Sequence, residues 1–180
     1  YDSLVVHGEK TIELLSDDPD IRPMMALAFA ERGENNRAID LAQEGLEILR
    51  TLEKPAEIPV NQWILRQDRA VSDSNYAQGL AYLKKSSEMA GGGETMLKRA
   101  AEYLGEAIDS DPEYGAAYSR LGYAYTRLNE AEMAIDNYAR AVATDGIASA
   151  LAHEQLVIIL DFLKKDTTTA DQLILEQRDY

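Results

Sequence analysis

Apolar residues recur every three or four positions along most of the chain, the spacing that places them on one face of an α-helix. The clearest example lies in residues 115–148, where two such stripes are separated by the polar pair Asn129 and Glu130. The stripes consist of Leu121, Tyr125 and Leu128, followed by Ala134, Tyr138 and Ala141. This pattern predicts two helices that pack antiparallel across a short turn.

Small and aromatic residues alternate where the two predicted helices would meet. Gly122 and Ala134 are small enough to let the two backbones approach each other, while Tyr118, Tyr125 and Tyr138 can fill the space beyond that contact. We expect a larger side chain at either small position to force the helices apart.

The order of these residues resembles the helical hairpin of the tetratricopeptide repeat family. The residues that carry the resemblance are Tyr118, Leu121, Gly122, Tyr125, Ala134, Tyr138 and Ala141. The family repeats every 34 residues or so, and the positions one period upstream of the second helix and its end are Ala100, Leu104, Ala107 and Pro112. The resemblance implies an all-α fold, a superhelical array of antiparallel helix hairpins that forms a solenoid.

The same register divides the chain into hairpins that match the repeat pattern to different degrees. The predicted segments are a partial repeat with only a second helix at 1–18 (Leu4, Gly8, Thr11), a hairpin at 19–52, a proline-containing linker at 53–61, an irregular extended hairpin at 62–114, the clearest hairpin at 115–148, and a capping helix with a short terminal helix at 149–180. Gly33 is expected at the turn of the hairpin at 19–52.

The extended hairpin carries an insertion. If Ala77 corresponds to Gly122, the small residue that opens the second helix is due at Met89, eleven residues before Ala100. Eleven residues make close to three helical turns, so the added helix keeps its apolar face toward the core. Gly91–Gly93 is predicted to form the turn, because glycine disfavours helix and accepts positive φ.

Composition limits the class of partner. The chain has 180 residues, of which 46% are hydrophobic, and a net charge of −14, which repels nucleic acid and anionic lipid. It has no cysteine, which is compatible with a cytoplasmic or a periplasmic location, so the sequence does not determine the compartment, although we favour the cytoplasm. The sequence has no apolar run long enough to span a membrane and no signal peptide. Because it does not begin with methionine, we interpret it as a segment of a longer protein.

No residue pattern predicts catalysis, a metal site or a cofactor. Neither of the two histidines, His7 and His153, is supported by a second histidine, and Val157 stands four positions after His153, where a second ligand would be needed. The acidic clusters lie at helix ends beside prolines, where they favour turns and caps rather than calcium binding. Glu94 occupies the position at which a phosphate-binding loop carries lysine. We therefore predict a protein that is not an enzyme.

A binding groove is what the resemblance implies instead. In the family, defined positions of each first helix line a concave groove. Transferred to this sequence, they are Leu27 and Glu31 in the hairpin at 19–52, Ala116, Ser119, Tyr123, Thr126 and Arg127 in the clearest hairpin, and His153 and Val157 in the capping helix. Tyr123 lies off the apolar stripe, so it is predicted either to contact a partner or to pack against the next helix.

These observations predict a non-enzymatic scaffold that binds a peptide or helix of another protein. Ser119 and Tyr123 stand where some family members carry the lysine and asparagine that bind a terminal carboxylate, so that mode of binding is not expected. The acidic net charge instead favours an apolar or basic partner segment. One alternative is a regulatory or substrate-recruiting segment of a larger enzyme or assembly. Another is a self-associating module, in which Leu173, Ile174 and Leu175 pack on a second copy.

Overall fold

The structure, a computed structural model, describes residues 10, 12, 18–89, 93–145, 150–163 and 168–178. In these residues it contains eight α-helices and no strand. The helices are α1 (Ile21–Arg32), α2 (Asn35–Thr51), α3 (Val60–Glu88), α4 (Glu94–Ser110), α5 (Gly115–Arg127), α6 (Ala131–Asp145), α7 (Ala150–Phe162) and α8 (Thr168–Arg178). The all-α prediction is confirmed. The chain divides into two compact units, Tyr1–Asp111 and Pro112–Tyr180.

Two of the sequence predictions concern positions outside the described residues. They are the partial repeat at 1–18, apart from Lys10, Ile12 and Asp18, and the turn glycines Gly91 and Gly92.

In the first unit, α1 and α2 form a hairpin that turns at Gly33. This glycine has a φ of 81°, in the left-handed region that side chains disfavour, and its N–H donates to the carbonyl oxygen of Ala30 at 3.1 Å. The N–H of Glu34 donates to the carbonyl oxygen of Phe29 at 3.0 Å. The chain therefore reverses within a few residues, and α2 packs along α1.

Helix α3 is the centre of the first unit. It has 29 residues, and ten consecutive ones, Ser74 to Leu83, are buried on every side because α1, α2 and α4 all pack against it. Small residues make this contact close: Ala77 joins Ala26 and Ala42 in one apolar cluster. On another side of α3, a Cβ at Gly79 would lie only 2.6 Å from Cγ of Leu104 in α4.

This packing differs from the alignment expected from the sequence, which paired Ala77 with Gly122. By contact, Gly79 lies against Leu104 as Gly122 lies against Tyr138. The two contacting residues are 25 positions apart in this hairpin and 16 apart in the clearest one, so this hairpin is longer by nine residues rather than eleven. The turn ends at Gly93, which has a φ of 56° and precedes the first residue of α4.

In the second unit, α5 and α6 form a hairpin around Asn129, which has a φ of 62°. A Cβ at Gly122 would lie 2.9 Å from Cδ1 of Tyr138. The aromatic ring of Tyr138, rather than the α6 backbone, therefore occupies the space above Gly122, which corrects the backbone contact expected from the sequence. Asparagine tolerates the left-handed conformation better than most residues, which suits Asn129 to the turn.

Helices α7 and α8 complete the second unit by packing on α6. The core is continuous across the three helices. Its most buried members are Ala134, Tyr138, Ala139, Ala141, Ala152, Leu156, Leu160 and Ala170.

Candidate binding surfaces

The two candidate groove residues of α1 are engaged within the first unit. Leu27 is half-buried and packs against the apolar cluster that includes Ala77. The Glu31 carboxylate lies 3.5 Å from Nζ of Lys84 in α3. The same ammonium donates to the carbonyl oxygens of Ala30 and Glu31, both at 2.8 Å. Lys84 therefore caps the C-terminal end of α1, and Glu31 supports that cap.

Tyr123 and Arg127 form a pair on α5. The side chain of Tyr123 is 39% exposed, and its hydroxyl oxygen accepts a hydrogen bond from Nη1 of Arg127 at 3.0 Å. The guanidinium carbon lies 5.8 Å from the centroid of the same ring. The pair offers an apolar ring, a hydroxyl and a positive charge at one place, which are the features that hot-spot residues combine.

The other candidates on α5 are less accessible. Ala116 and Ser119 are half-buried. The hydroxyl of Thr126 donates to the carbonyl oxygen of Gly122 at 2.9 Å and lies 3.4 Å from the hydroxyl of Tyr138. Thr126 is thus directed toward the hairpin core.

On α7 the two candidates differ. His153 is exposed, whereas Val157 is half-buried and packs against the core of the second unit. The candidate residues therefore fall in both units, Leu27 and Glu31 in the first and all the others in the second. Within the second unit, Tyr123 and Arg127 are in direct contact.

A surface that the sequence did not reveal lies in the first unit, where α2 and α4 both pack on α3 and leave a groove between them. We call it the α3 groove. Two adjoining cavities of about 330 and 300 Å³ follow it, and they share Leu46, Arg50 and Glu106. Its floor is formed by residues of α3, namely Gln67, Val71, Asn75 and Gln78.

The floor contains a buried amide with an unused acceptor. Gln78 is fully buried, and its Nε2 donates to Oδ1 of Asn75 at the long distance of 3.5 Å. Its Oε1 is buried and has no hydrogen-bond partner in the described part of the chain. Leaving a buried polar atom without a partner costs about 1–3 kcal/mol, so this oxygen favours any donor that enters the groove.

The walls of the groove are charged. On α2, Nη1 of Arg50 lies 2.9 Å from Oε2 of Glu47, so this cation is paired with an anion on the same helix. On α4, the pKa of Glu106 is raised, first by burial and then by the negative charges of Glu102 and Asp109. The α4 wall is therefore acidic.

Aromatic residues mark one part of the groove. The rings of Tyr82 and Tyr103 stack with their centroids 5.5 Å apart and their planes inclined by 2°. The Tyr103 hydroxyl makes a hydrogen bond with the Gln43 side chain, which links α4 to α2. Burial raises the pKa of Tyr103, so its hydroxyl stays protonated at neutral pH.

The part of the chain that the structure describes lacks two further features. It brings together no group of three or more His, Cys, Asp or Glu side chains that could ligate a metal. None of its described helices has both the length and the apolar character needed to cross a membrane.

The fold and these surfaces describe an all-α protein built from antiparallel helical hairpins. The chain is similar to the solved structure of a MamA RS-1 ArsTM double mutant, with a TM-score of 0.61 and 20% identity over 97% of this chain and 82% of that one. It is also similar to MamA 41-end from Desulfovibrio magneticus RS-1, with a TM-score of 0.60 and 20% identity over 97% of this chain and 84% of that one.

At this level of identity the likeness shows the fold alone. No family model matches the chain. No curated protein matches it either.

Proposed function

We propose that this protein is a non-enzymatic scaffold that binds a peptide or helix of a partner protein, with Tyr123 and Arg127 of α5 as the central contacts. The observation that carries the proposal is the exposure of the Tyr123 ring beside a guanidinium that already holds its hydroxyl. A ring held in this way loses little conformational freedom when a partner covers it. The same surface would serve a regulatory or substrate-recruiting segment of a larger enzyme or assembly.

The experiment that tests this proposal compares Tyr123→Ala with Tyr123→Phe. A partner is first captured from a lysate of the source organism by the unaltered chain, and its affinity is then measured for each variant. We expect Tyr123→Ala to weaken binding about 30-fold, because a central aromatic anchor is worth about 2 kcal/mol or more. Tyr123→Phe retains the ring and should lose less. Equal affinity of the unaltered chain and Tyr123→Ala would contradict a role for α5.

Charge reversal at Glu31 is a poorer test of the same proposal. The Glu31 carboxylate pairs with Lys84, whose ammonium caps α1. A lysine at position 31 would repel that ammonium, so weaker binding could come from a disturbed helix end rather than from a lost contact.

A second candidate function is self-association through α7. Leu151, Ile158 and Phe162 are 73%, 51% and 83% exposed, and helical spacing places the three side chains within about 40° of one another around the helix. The α8 residues that the sequence suggested are less suited to this role, because Ile174 is buried and Leu173 packs against the core of the same unit.

Light scattering across a wide concentration range tests this second candidate. We expect the unaltered chain to show a rising mean mass with concentration and Phe162→Asp to remain a monomer, because a carboxylate in an apolar interface is costly to desolvate. Leu65→Asp is the matched control, since Leu65 is 67% exposed on α3 in the first unit. A monomer at all concentrations of the unaltered chain would contradict self-association.

A further inference from the structure

We propose that the α3 groove binds an extended peptide segment of about five residues with a central basic side chain. In this arrangement the Gln78 side chain turns toward the groove, where its Oε1 accepts a hydrogen bond from a backbone N–H of the peptide, and Glu106 pairs with the basic side chain. This inference rests on the proposed function only in taking the protein to bind other proteins. It concerns a different surface, α2, α3 and α4 of the first unit, rather than α5.

The length of the groove sets the length of the segment. Gln67, Val71, Asn75 and Gln78 lie on one stripe of α3, within about 80° of the helix circumference, and eleven residues separate the first from the last. At 1.5 Å per residue the stripe is roughly 16 Å long. An extended chain advances about 3.3 Å per residue, so about five residues cover this stripe.

The chemistry of the floor favours an extended segment over a helix. The backbone groups inside a helix are already paired, whereas an extended chain presents unpaired N–H and C=O groups along its length. The groove floor offers a buried acceptor without a partner, Oε1 of Gln78, beside a second amide, Asn75, which is 3% exposed. An apolar contact at Val71 and Leu46 would accommodate a small side chain between the amides of Gln67 and Asn75.

The charge of the groove favours a basic side chain. Glu106 lines both cavities, and Glu102 and Asp109 add negative charge close to it. Arg50, the cation that lines both cavities, already pairs with Glu47. A lysine or arginine beside Glu106 would offset the repulsion among the α4 carboxylates, whereas an acidic side chain would add to it.

The test is an NMR titration of the full chain, labelled with ¹⁵N, with three acetylated and amidated pentapeptide pools. The central residue is lysine, glutamate or norleucine, and the flanking positions are mixtures of Ala, Val and Ser. We expect the lysine pool to shift the side-chain amide signals of Asn75, Gln78 and Gln67. Its dissociation constant should be about tenfold lower than that of the glutamate pool, in line with a charge-assisted hydrogen bond.

Two variants separate the two proposed contacts. Glu106→Gln should reduce the preference for lysine over glutamate to about twofold or less, because it removes the partner of the basic group. Gln78→Met keeps the length of the side chain and removes a buried amide whose oxygen has no partner and whose one hydrogen bond, to Asn75, is long, so it should fold with unchanged or higher melting temperature while binding all three pools more weakly. Glu132→Gln, an exposed carboxylate on α6, is the control and should change nothing.

Three results would overturn the inference. They are equal binding of the lysine and glutamate pools, unchanged binding by Gln78→Met, and the absence of shifts in the α3 groove. Shifts confined to Tyr123 and its neighbours would exclude the α3 groove as the binding site and support the proposed function. The partner-binding experiment with Tyr123→Ala judges that function separately.

Discussion

Replacing Tyr138 by alanine is expected to destabilise the second unit by about 3–5 kcal/mol. Tyr138 is 1% exposed, and its ring packs on Gly122 of α5 while belonging to the core that α6 shares with α7 and α8. Truncation would leave a cavity between α5 and the core that α6 shares with α7 and α8. The surrounding helices could close it only by giving up other contacts.

Tyr138→Phe is the matched control for that experiment. It keeps the ring and removes only the hydroxyl, which lies 3.4 Å from the hydroxyl of Thr126. A neutral hydrogen bond contributes about 1 kcal/mol, so the loss should be about that or less. Hydrogen exchange of the α5 to α8 amides measures the stability of this unit by itself. Equal protection in Tyr138→Ala and Tyr138→Phe would contradict the packing described here.

The hairpin built around Tyr138 could be predicted from the sequence for a physical reason. Helices α5 and α6 each bury one stripe, so their apolar residues keep the 3.6-residue period, and Asn129 and Glu130 interrupt it clearly. What the pattern did not reveal is the kind of contact. The sequence shows that Gly122 is small, but only the fold shows that an aromatic ring rather than a backbone fills the space above it.

The packing partners of helix α3 could not be predicted from the hydrophobic pattern. From Ser74 to Leu83 every residue is buried, so no stripe identifies the neighbour that each residue faces. Ala77 and Gly79 are both small and only two positions apart, yet one packs toward α1 and α2 and the other toward α4. Choosing Ala77 as the counterpart of Gly122 led to an insertion two residues too long.

The binding surfaces were harder to predict because they depend on residues distant in sequence. Glu31 has the exposure expected of a groove residue, but its carboxylate pairs with Lys84, 53 residues later. Gln78 has no charge and no motif to mark it, and its unused oxygen becomes visible only when α2 and α4 are placed beside α3. The signal in the sequence that could have indicated the α3 groove is the helical spacing of the polar residues Gln67, Asn75 and Gln78.

Gly79→Ala and Gly105→Ala are expected to change the stability of the first unit in opposite directions. Alanine is favoured over glycine inside a helix by about 1 kcal/mol. A Cβ at Gly105 would meet nothing within 4 Å, so that variant should gain the full amount. A Cβ at Gly79 would lie 2.6 Å from Cγ of Leu104, which is fully buried and cannot move aside. Overpacking costs about 1–3 kcal/mol, so Gly79→Ala should be destabilising overall.

The double variant Gly79→Ala with Leu104→Ala tests whether the contact with Leu104 causes the loss of stability in Gly79→Ala. Leu104→Ala alone should cost about 2–5 kcal/mol by leaving a cavity, but it also removes the two closest atoms that a methyl group at position 79 would meet and leaves the carbonyl oxygen of Ala100 at 3.3 Å. In its presence the methyl group fills space instead of colliding, so the two losses should sum to more than the loss of the double variant by about 1–3 kcal/mol. Urea unfolding of the four chains measures this coupling. Strict additivity would mean that Gly79 is not required by Leu104, and the contact between α3 and α4 would need another explanation.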